Sequence, residues 1–373
     1  MRKSNFLLFF SFFFTTTLFA QQDHSHALGR KIIFPDVPNY KTLKCDFHIH
    51  TVFSDGNVWP TIRVEEALRD GLDAISLTDH LEYQPHAQDI PHPDRNRSFD
   101  IASDFAKNND LLVVRGVEIT RSMPPGHANA IFVEDANKIV VDDAMEAFRE
   151  AGKQGAYVFW NHPNWTSQRP NGIATLTDMH KTLIKENLLH GIEVVNDLTY
   201  SDEALRIALE NNLGVMGTSD IHGLVDWQFK IPEGGHRPIT LVFAKEKTQE
   251  SIKEALFAGR TVAWFNNTLV GKEEHLLPLI HSSLKVGKLQ YQGTSQVASI
   301  DIENTSDADF ILESLGPYTF HTSSDVIELK AHRTTTIEIK TYVRLSHVSL
   351  SFKVLNAVSG PRLHPFITVK VEE

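Results

Sequence analysis

The stretch Leu43-Lys44-Cys45-Asp46-Phe47-His48-Ile49-His50 is an apolar run that finishes on two histidines one residue apart, with Ser54-Asp55-Gly56 shortly beyond. In an extended strand, side chains two apart share a face, so His48 and His50 could grip one ion from adjacent positions. Asp55 lies in the following loop, close enough to reach a neighbouring ion. Alone, two histidines on a strand face would mean little. The same ending recurs along the chain, and the recurrence indicates both the fold and the chemistry.

From Leu43 to about Phe265 one grammar repeats: a short apolar run, a polar loop, then an amphipathic stretch. The runs 43–50, 73–78, 111–119, 128–133, 156–160, 191–195, 214–217, 238–243 and 261–265 read as strands. Between them, 61–69, 99–107, 144–153, 176–187, 201–211 and 249–258 carry helical spacing. Alternation of this kind predicts an α/β fold with a parallel sheet, and the number of units favours a closed barrel over a doubly wound sheet. In such folds function gathers in loops at the carboxyl ends of the strands. After Gly271 the stretches 297–303, 310–313, 326–329, 334–340, 348–354 and 367–371 are short, rich in Val, Ile and Thr, and separated by turn signals. Residues 43–271 are therefore expected to form the barrel and 272–373 an all-β sandwich.

Nineteen histidines accompany a single cysteine. Cys45 can form no intramolecular disulfide, and metal chemistry would have to use imidazole and carboxylate ligands. Eleven histidines fall between 43 and 271. The second strand run ends in Thr78-Asp79-His80, the third in Val117-Glu118-Ile119-Thr120, the fifth in Trp160-Asn161-His162-Pro163 and the seventh run leads into Ser219-Asp220-Ile221-His222. His127 directly precedes the fourth. Ligand-type side chains at one rim of so many successive units predict a multinuclear metal centre. The six histidines beyond Gly271 (His275, His281, His321, His332, His347 and His364) show no ligand-like spacing.

On these motifs the chain, from about Leu43 to Phe265, resembles the PHP (polymerase and histidinol phosphatase) superfamily of metal-dependent phosphoesterases. The resemblance implies a distorted (β/α)₇ barrel, which leaves the runs near Pro238 and Thr261 as edge additions. It also implies three divalent ions, of manganese, zinc or iron: one held by His48, His50, Glu118 and Asp220, a second bridged by Glu118 and held by His127 and His162, a third held by Asp55, His80 and His222. Asp46 and Asp79 fit better as carboxylates orienting the imidazoles. A water shared between ions would be the nucleophile in hydrolysis of a small phosphate ester. Within the family the chain is most similar to exported bacterial phosphodiesterases of the Sb-PDE type. Arg121 is the leading candidate for a phosphate contact, with Tyr83, His86, His92, Arg95, Arg97, Trp165, Arg169, Lys230 and His236 behind it. The insertion 82–98 is long enough for a lid.

The first twenty residues, with Arg2 and Lys3 before the apolar run from Phe6 and a small residue at Ala20, read as a cleavable secretory leader, and 21–42 as a leading segment. A periplasmic or secreted bacterial protein is the expectation. Cleavage would take the formal charge from −11 to −13 by removing Arg2 and Lys3. Such acidity argues against a general nucleic-acid binder. The readings that compete with a phosphodiesterase are a broad phosphomonoesterase or nucleotide phosphatase, and a carbohydrate- or partner-binding protein whose barrel is a metal-loaded scaffold.

Overall fold

The computed structural model describes residues 31–373, so the leader reading of residues 1–20 lies outside the described residues. The chain runs β1 (Lys41–Ile49), α1 (Pro60–Asp70), β2 (Ala74–Leu77), α2 (Arg97–Ala106), β3 (Leu112–Ile119), β4 (Ala128–Ile131), α3 (Ala144–Lys153), β5 (Tyr157–Trp160), α4 (Asp178–Lys185), β6 (Gly191–Asn196), β7 (Thr199–Tyr200), α5 (Asp202–Glu210), β8 (Gly214–Thr218) and α6 (Val225–Gln228). It continues through β9 (Ile239–Ala244), α7 (Gln249–Phe257), β10 (Thr261–Phe265), β11 (Thr268–Gly271) and α8 (Glu273–Ser283).

The strands β1 to β6 and β8 curl into the distorted barrel, within a 12-stranded sheet. It is not all-parallel, as the repeating grammar had suggested. β1, β2 and β3 are mutually parallel, as are β5, β6 and β8, but β4 runs antiparallel to both β3 and β5. The link from Ile119 to Ala128 is too short for a crossover, which needs a dozen residues or more. The runs near Pro238 and Thr261 are edge additions: β9 pairs antiparallel with β1, and β10 with β9.

Closure between β8 and the start of the sheet is made by single bonds. Asp220 N donates to His48 O (2.9 Å) and His50 N to Ile221 O (3.1 Å). Deeper down, Thr240 Oγ1 accepts from Gly217 N (3.0 Å) and donates to Gly217 O (2.8 Å). A Cβ at Gly217 would stand 2.6 Å from Ala263 Cβ, so this approach of β8 to β10 requires glycine. Arg63 of α1, fully buried, locks the seam from outside. Its guanidinium donates to the carbonyls of His50 (2.9 Å), Ile221 (3.1 Å), His222 (2.9 Å) and Gly223 (2.7 Å), and pairs with Glu66 at 2.7 Å.

Inside the barrel, Leu43, Cys45 and Phe47 pack with Val114, Ile131, Tyr157, Phe159 and Met216, and Ile252 and Leu256 of α7 close the lower end. Ile49 instead packs in the cluster of Val64 and Ala67 on α1. The register of β1 on β2 shifts between Asp46 and Ile49. That irregularity moves the inward face from the odd positions to His48 and His50, as bulges near active sites do.

In the C-terminal region the helix α8 occupies residues at which the sequence reading began the sandwich, and the strands start at Leu284. They are β12 (Leu284–Val286), β13 (Gln290–Tyr291), β14 (Val297–Asn304), β15 (Phe310–Ser314), β16 (Thr319–Phe320), β17 (Val326–Leu329), β18 (Thr334–Lys340), β19 (His347–Val354), β20 (Ala357–Val358) and β21 (Phe366–Glu372). One sheet orders them β12-β14-β18-β16, with β13 on β14, and the other β17-β15-β19-β21. Alternating residues such as Ile337 and Ile339 or Leu350 and Phe352 fill the space between. β20 leaves this region to pair with β11 of the barrel sheet, and Trp264, Leu269 and Leu276 share one apolar cluster with Ile300, Phe310 and Phe352.

Removing the Arg63 clamp would take the charged donor from Glu66 Oε2 and four carbonyls, of which Ile221 O and His222 O keep a backbone donor. The variant R63A is expected to lose about 3 kcal/mol or more of stability in denaturant unfolding, the usual cost of breaking a buried ion pair.

Candidate metal centre

The nine residues singled out as ligands converge at one rim. His48 and His50 come from the end of β1, Asp55 from the loop after it, His80 from just beyond β2, Glu118 from β3, His162 from just beyond β5, and Asp220 and His222 from beyond β8. His127 precedes β4 and still reaches this rim because β4 runs the other way.

Glu118, with no exposed surface, is the hub. Its Oε1 lies 2.9 Å from His127 Nδ1 and 3.6 Å from His162 Nε2. Its Oε2 lies 2.9 Å from His80 Nδ1, 3.3 Å from His50 Nε2 and 3.5 Å from His48 Nε2. Asp220 Oδ1 closes a group with His48 Nε2 (3.1 Å) and His50 Nε2 (3.0 Å). Asp55 Oδ1 sits 3.1 Å from His222 Nε2 and 3.5 Å from His80 Nε2. Among the described residues three sets have ligand atoms mutually within 4.8 Å: His48, His50 and Asp220; His80, Glu118 and His127; and His50, Asp55, His80 and His222, with His162 in none of them. His80 and His50 each take part in two of them, a sharing that the family pattern does not imply.

Divalent ions suit this constellation. Asp55 Oδ1, Glu118 Oε2, Asp220 Oδ1 and His127 Nδ1 are buried against ring nitrogens or a carboxylate without hydrogen-bond geometry, and His162 Nδ1 is buried with no such contact, an arrangement that a cation lying between them would relieve. Nitrogen and carboxylate donors without thiolate match zinc, manganese or iron.

Electrostatics agree. Burial alone would raise the Glu118 acid, but the imidazoles of His80 and His48 outweigh it and hold the carboxyl well below its ordinary range. Asp220 is held well down in the same way, against burial, by His48 and His50. Against the same opposing burial, Glu118 and Asp55 raise His80 to about 10. His50 goes the other way, down to about 4, because burial is reinforced by His222 and His80. The carboxylates thus stay ionised in a pocket that gathers positive charge, and an entering ion displaces protons from the imidazoles.

Two of the candidate ligands stand on left-handed backbone, His162 at φ 28° and Asp220 at φ 48°. Such conformations persist only where surroundings fix them. Glu193 fixes the first: its Oε2 accepts from His162 N at 2.6 Å and Asn196 Nδ2 at 2.9 Å, while its Oε1 faces His48 Nδ1 at 2.7 Å and accepts from Thr218 Oγ1 at 2.5 Å. Glu193 is the carboxylate that orients an imidazole, and the sequence reading passed over it. Its signal was an acid inside the apolar run Gly191-Ile192-Glu193-Val194-Val195.

Asp46 acts otherwise than expected, whereas Asp79 reaches an imidazole through Ser54. Asp46 lies on the far side of the β1 irregularity, where it accepts from Ser219 N (3.1 Å) and Oγ (2.5 Å) and pairs with the buried Arg237 (3.3 Å). It therefore steadies the loop carrying Asp220. Asp79 accepts from Thr51 N at 2.7 Å and Ser54 Oγ at 2.8 Å, and Ser54 in turn meets His50 Nδ1 at 3.2 Å. Thr120 Oγ1 lies 2.6 Å from His80 Nδ1, and Asn161 Nδ2 donates to Glu118 Oε1 at 3.0 Å.

The centre floors a cavity of about 520 Å³, bounded otherwise by Asn164, Trp165, Thr166, Asn196, Asp197 and Gln228 among others. Arg121 does not line it: its guanidinium pairs with Glu82 at 2.9 Å and donates to the carbonyls of Val141 and Asp142. Nor does the 82–98 insertion cover it. Gln84 Nε2 donates to His80 O (2.6 Å), Arg95 to Gln84 Oε1 (2.9 Å), and His92 Nε2 faces Phe53 O (2.7 Å), so this segment buttresses the back of the β2 end. Arg169 donates to Thr175 O, His236 stacks on Trp264 with ring centroids 3.5 Å apart, and Lys230 is exposed. Of these sequence candidates, Trp165 alone lines the cavity, edge-on to His162 at 5.1 Å.

A crystal structure from Bacteroides vulgatus, described as a two-domain protein containing a predicted PHP-like metal-dependent phosphoesterase, is 41% identical and covers 92% of this chain and 98% of its own, with a TM-score of 0.86. A candidate metal-dependent phosphoesterase from Bifidobacterium adolescentis is more distant, 20% identical over 48% of this chain and 87% of that one, TM-score 0.36. An uncharacterized protein of Methanocaldococcus jannaschii is 35% identical over 85 residues, 22% of this chain, and the match spans about a third (36%) of that relative. The DUF5001 family, described as an Ig-like domain, matches residues 284–370. Fold and site define a metal-dependent phosphoesterase barrel joined to an Ig-like all-β region. The chain belongs to the PHP-like metal-dependent phosphoesterases.

Because Glu193 fixes the His48 ring and the His162 backbone, E193Q is expected to weaken metal binding by about 10- to 100-fold with little change in far-UV circular dichroism. Competition with a chromogenic chelator measures this.

Proposed function

We propose that the protein is an exported phosphodiesterase that uses three divalent ions. One observation carries the diester reading: no lysine or arginine is found among the described residues lining the cavity. Positive charge for the substrate must then come from the ion cluster. A phosphodiester carries one negative charge, whereas a monoester at neutral pH carries nearly two and usually recruits a cationic side chain as well. The cavity volume also leaves room for organic groups on either side of the phosphorus. The export reading rests on the basic, then apolar, start of the sequence.

Ions bound here would supply Lewis acidity toward the phosphoryl oxygens and a water that ionises near neutral pH. The chain's own residues do the rest. Glu118 holds two ligand groups at a fixed spacing, with Asn161 fixing its Oε1. His222 Nδ1 donates to Asp220 O at 2.8 Å, which leaves Nε2 facing Asp55. Asn196 Nδ2, donating to both Glu193 and Asp220 Oδ2 (3.2 Å), joins the two sides of the rim.

The metal-loaded protein is expected to hydrolyse bis(p-nitrophenyl) phosphate with kcat/KM at least about tenfold above that for p-nitrophenyl phosphate, a difference of about 1.4 kcal/mol in transition-state binding. Chelation should abolish turnover, and E118Q should lower it by about a thousandfold or more at unchanged fold. A preference for the monoester would overturn the diester reading.

A further inference from the structure

The cavity holds one carboxyl group that no ligand set claims. Asp197, in the turn between β6 and β7, lines the cavity beside Asp220 and His222, yet belongs to none of the three sets. It makes no ion pair among the described residues, and one oxygen, Oδ1, accepts from Gln228 Nε2 at 2.6 Å. Its main chain is pinned in a left-handed conformation, φ 48°, by the bond from Asp197 N to Thr218 O at 3.1 Å. Aspartate tolerates this conformation, which the two-residue turn between β6 and β7 itself calls for. Burial raises its pKa against the opposing Gln228 bond, with a smaller push from the Asp220 charge.

A diester with an unactivated alcohol expels a strongly basic oxygen, and the lining offers no lysine or arginine to receive it. Building on the phosphodiester reading, we propose that Asp197 is the catalytic acid that protonates the leaving oxygen, held in place for that purpose by Gln228. Water adds its oxygen to phosphorus and gives up a proton. The bond from phosphorus to the leaving oxygen breaks, its electron pair stays with that oxygen, and the Asp197 proton joins it. The proton released by water returns Asp197 to its acid form through solvent, so diester and water give monoester and alcohol.

The test uses the full metal-loaded chain with methyl p-nitrophenyl phosphate, whose leaving group needs no proton, and methyl phenyl phosphate, whose leaving group does. D197N is expected to lose about 10²-fold or more on the phenyl ester and less than about tenfold on the p-nitrophenyl ester. Q228A should shift the same ratio in the same direction by a smaller factor. Metal content by elemental analysis and melting temperature should match the parent protein for both variants. Equal losses on the two esters, or loss of an ion from D197N, would overturn the assignment, the latter by making Asp197 a ligand. Failure of the parent protein on both diesters would sink the phosphodiester reading and this proposal with it.

Discussion

A carboxylate with no exposure to water, Glu118, faces five imidazoles, and the rest of the barrel rim is arranged around that fact. Burying an ionised carboxyl costs several kcal/mol unless opposite charge and hydrogen bonds surround it. Glu118 gains the charge from imidazoles on four different strand ends and one hydrogen bond from Asn161. To bring those rings together, β1 shifts register, β4 reverses direction, and His162 and Asp220 adopt left-handed backbone. Each departure from regular geometry sits within a residue or two of a ligand. The two left-handed positions are held by buried polar groups, His162 by Glu193 and Asp220 by Asp46 with Arg237 through Ser219.

Most of the rim was legible in the sequence because ligands sit at strand ends, and strand ends are where apolar runs stop. His80, His162 and Asp220 need no more than that to be found. What escaped was information carried by register and direction. Nothing in Asp46-Phe47-His48 announces that the strand slips between its first and last residues, so Asp46 was placed beside the imidazoles when it faces the opposite side. β4 was read as one more parallel strand because strand direction leaves no trace in composition; the shortness of the 120–127 link was the available clue. Pro278, a helix breaker in most interiors, hid α8 within a region of β-type sequence. Arg121 is near Glu118 in sequence, but it lies beyond the end of β3 and its guanidinium is engaged with Glu82 and the carbonyls of Val141 and Asp142.

The Ig-like region is more than an appendage in packing terms. β20 adds to the barrel sheet through β11, and one apolar cluster runs from Trp264 to Phe352. The antiparallel extension β9 to β11 is the mediator: it covers the outer edge of β1, the strand that carries His48 and His50. The acidic net charge of −11 and the cation-seeking centre are compatible because the ligand carboxylates are enclosed, while the cavity walls above them are largely amide, hydroxyl and indole groups.

The proposed function depends most on whether Glu118 would bridge two ions in a centre of nine ligands. Anomalous diffraction at the absorption edge of the resident metal, on crystals of protein purified without chelator, tests it most directly. Three peaks are expected, with the two oxygens of Glu118 on different ions and Asp55, His80 and His222 around the third. A single peak, or peaks that leave Glu118 unligated, would contradict it.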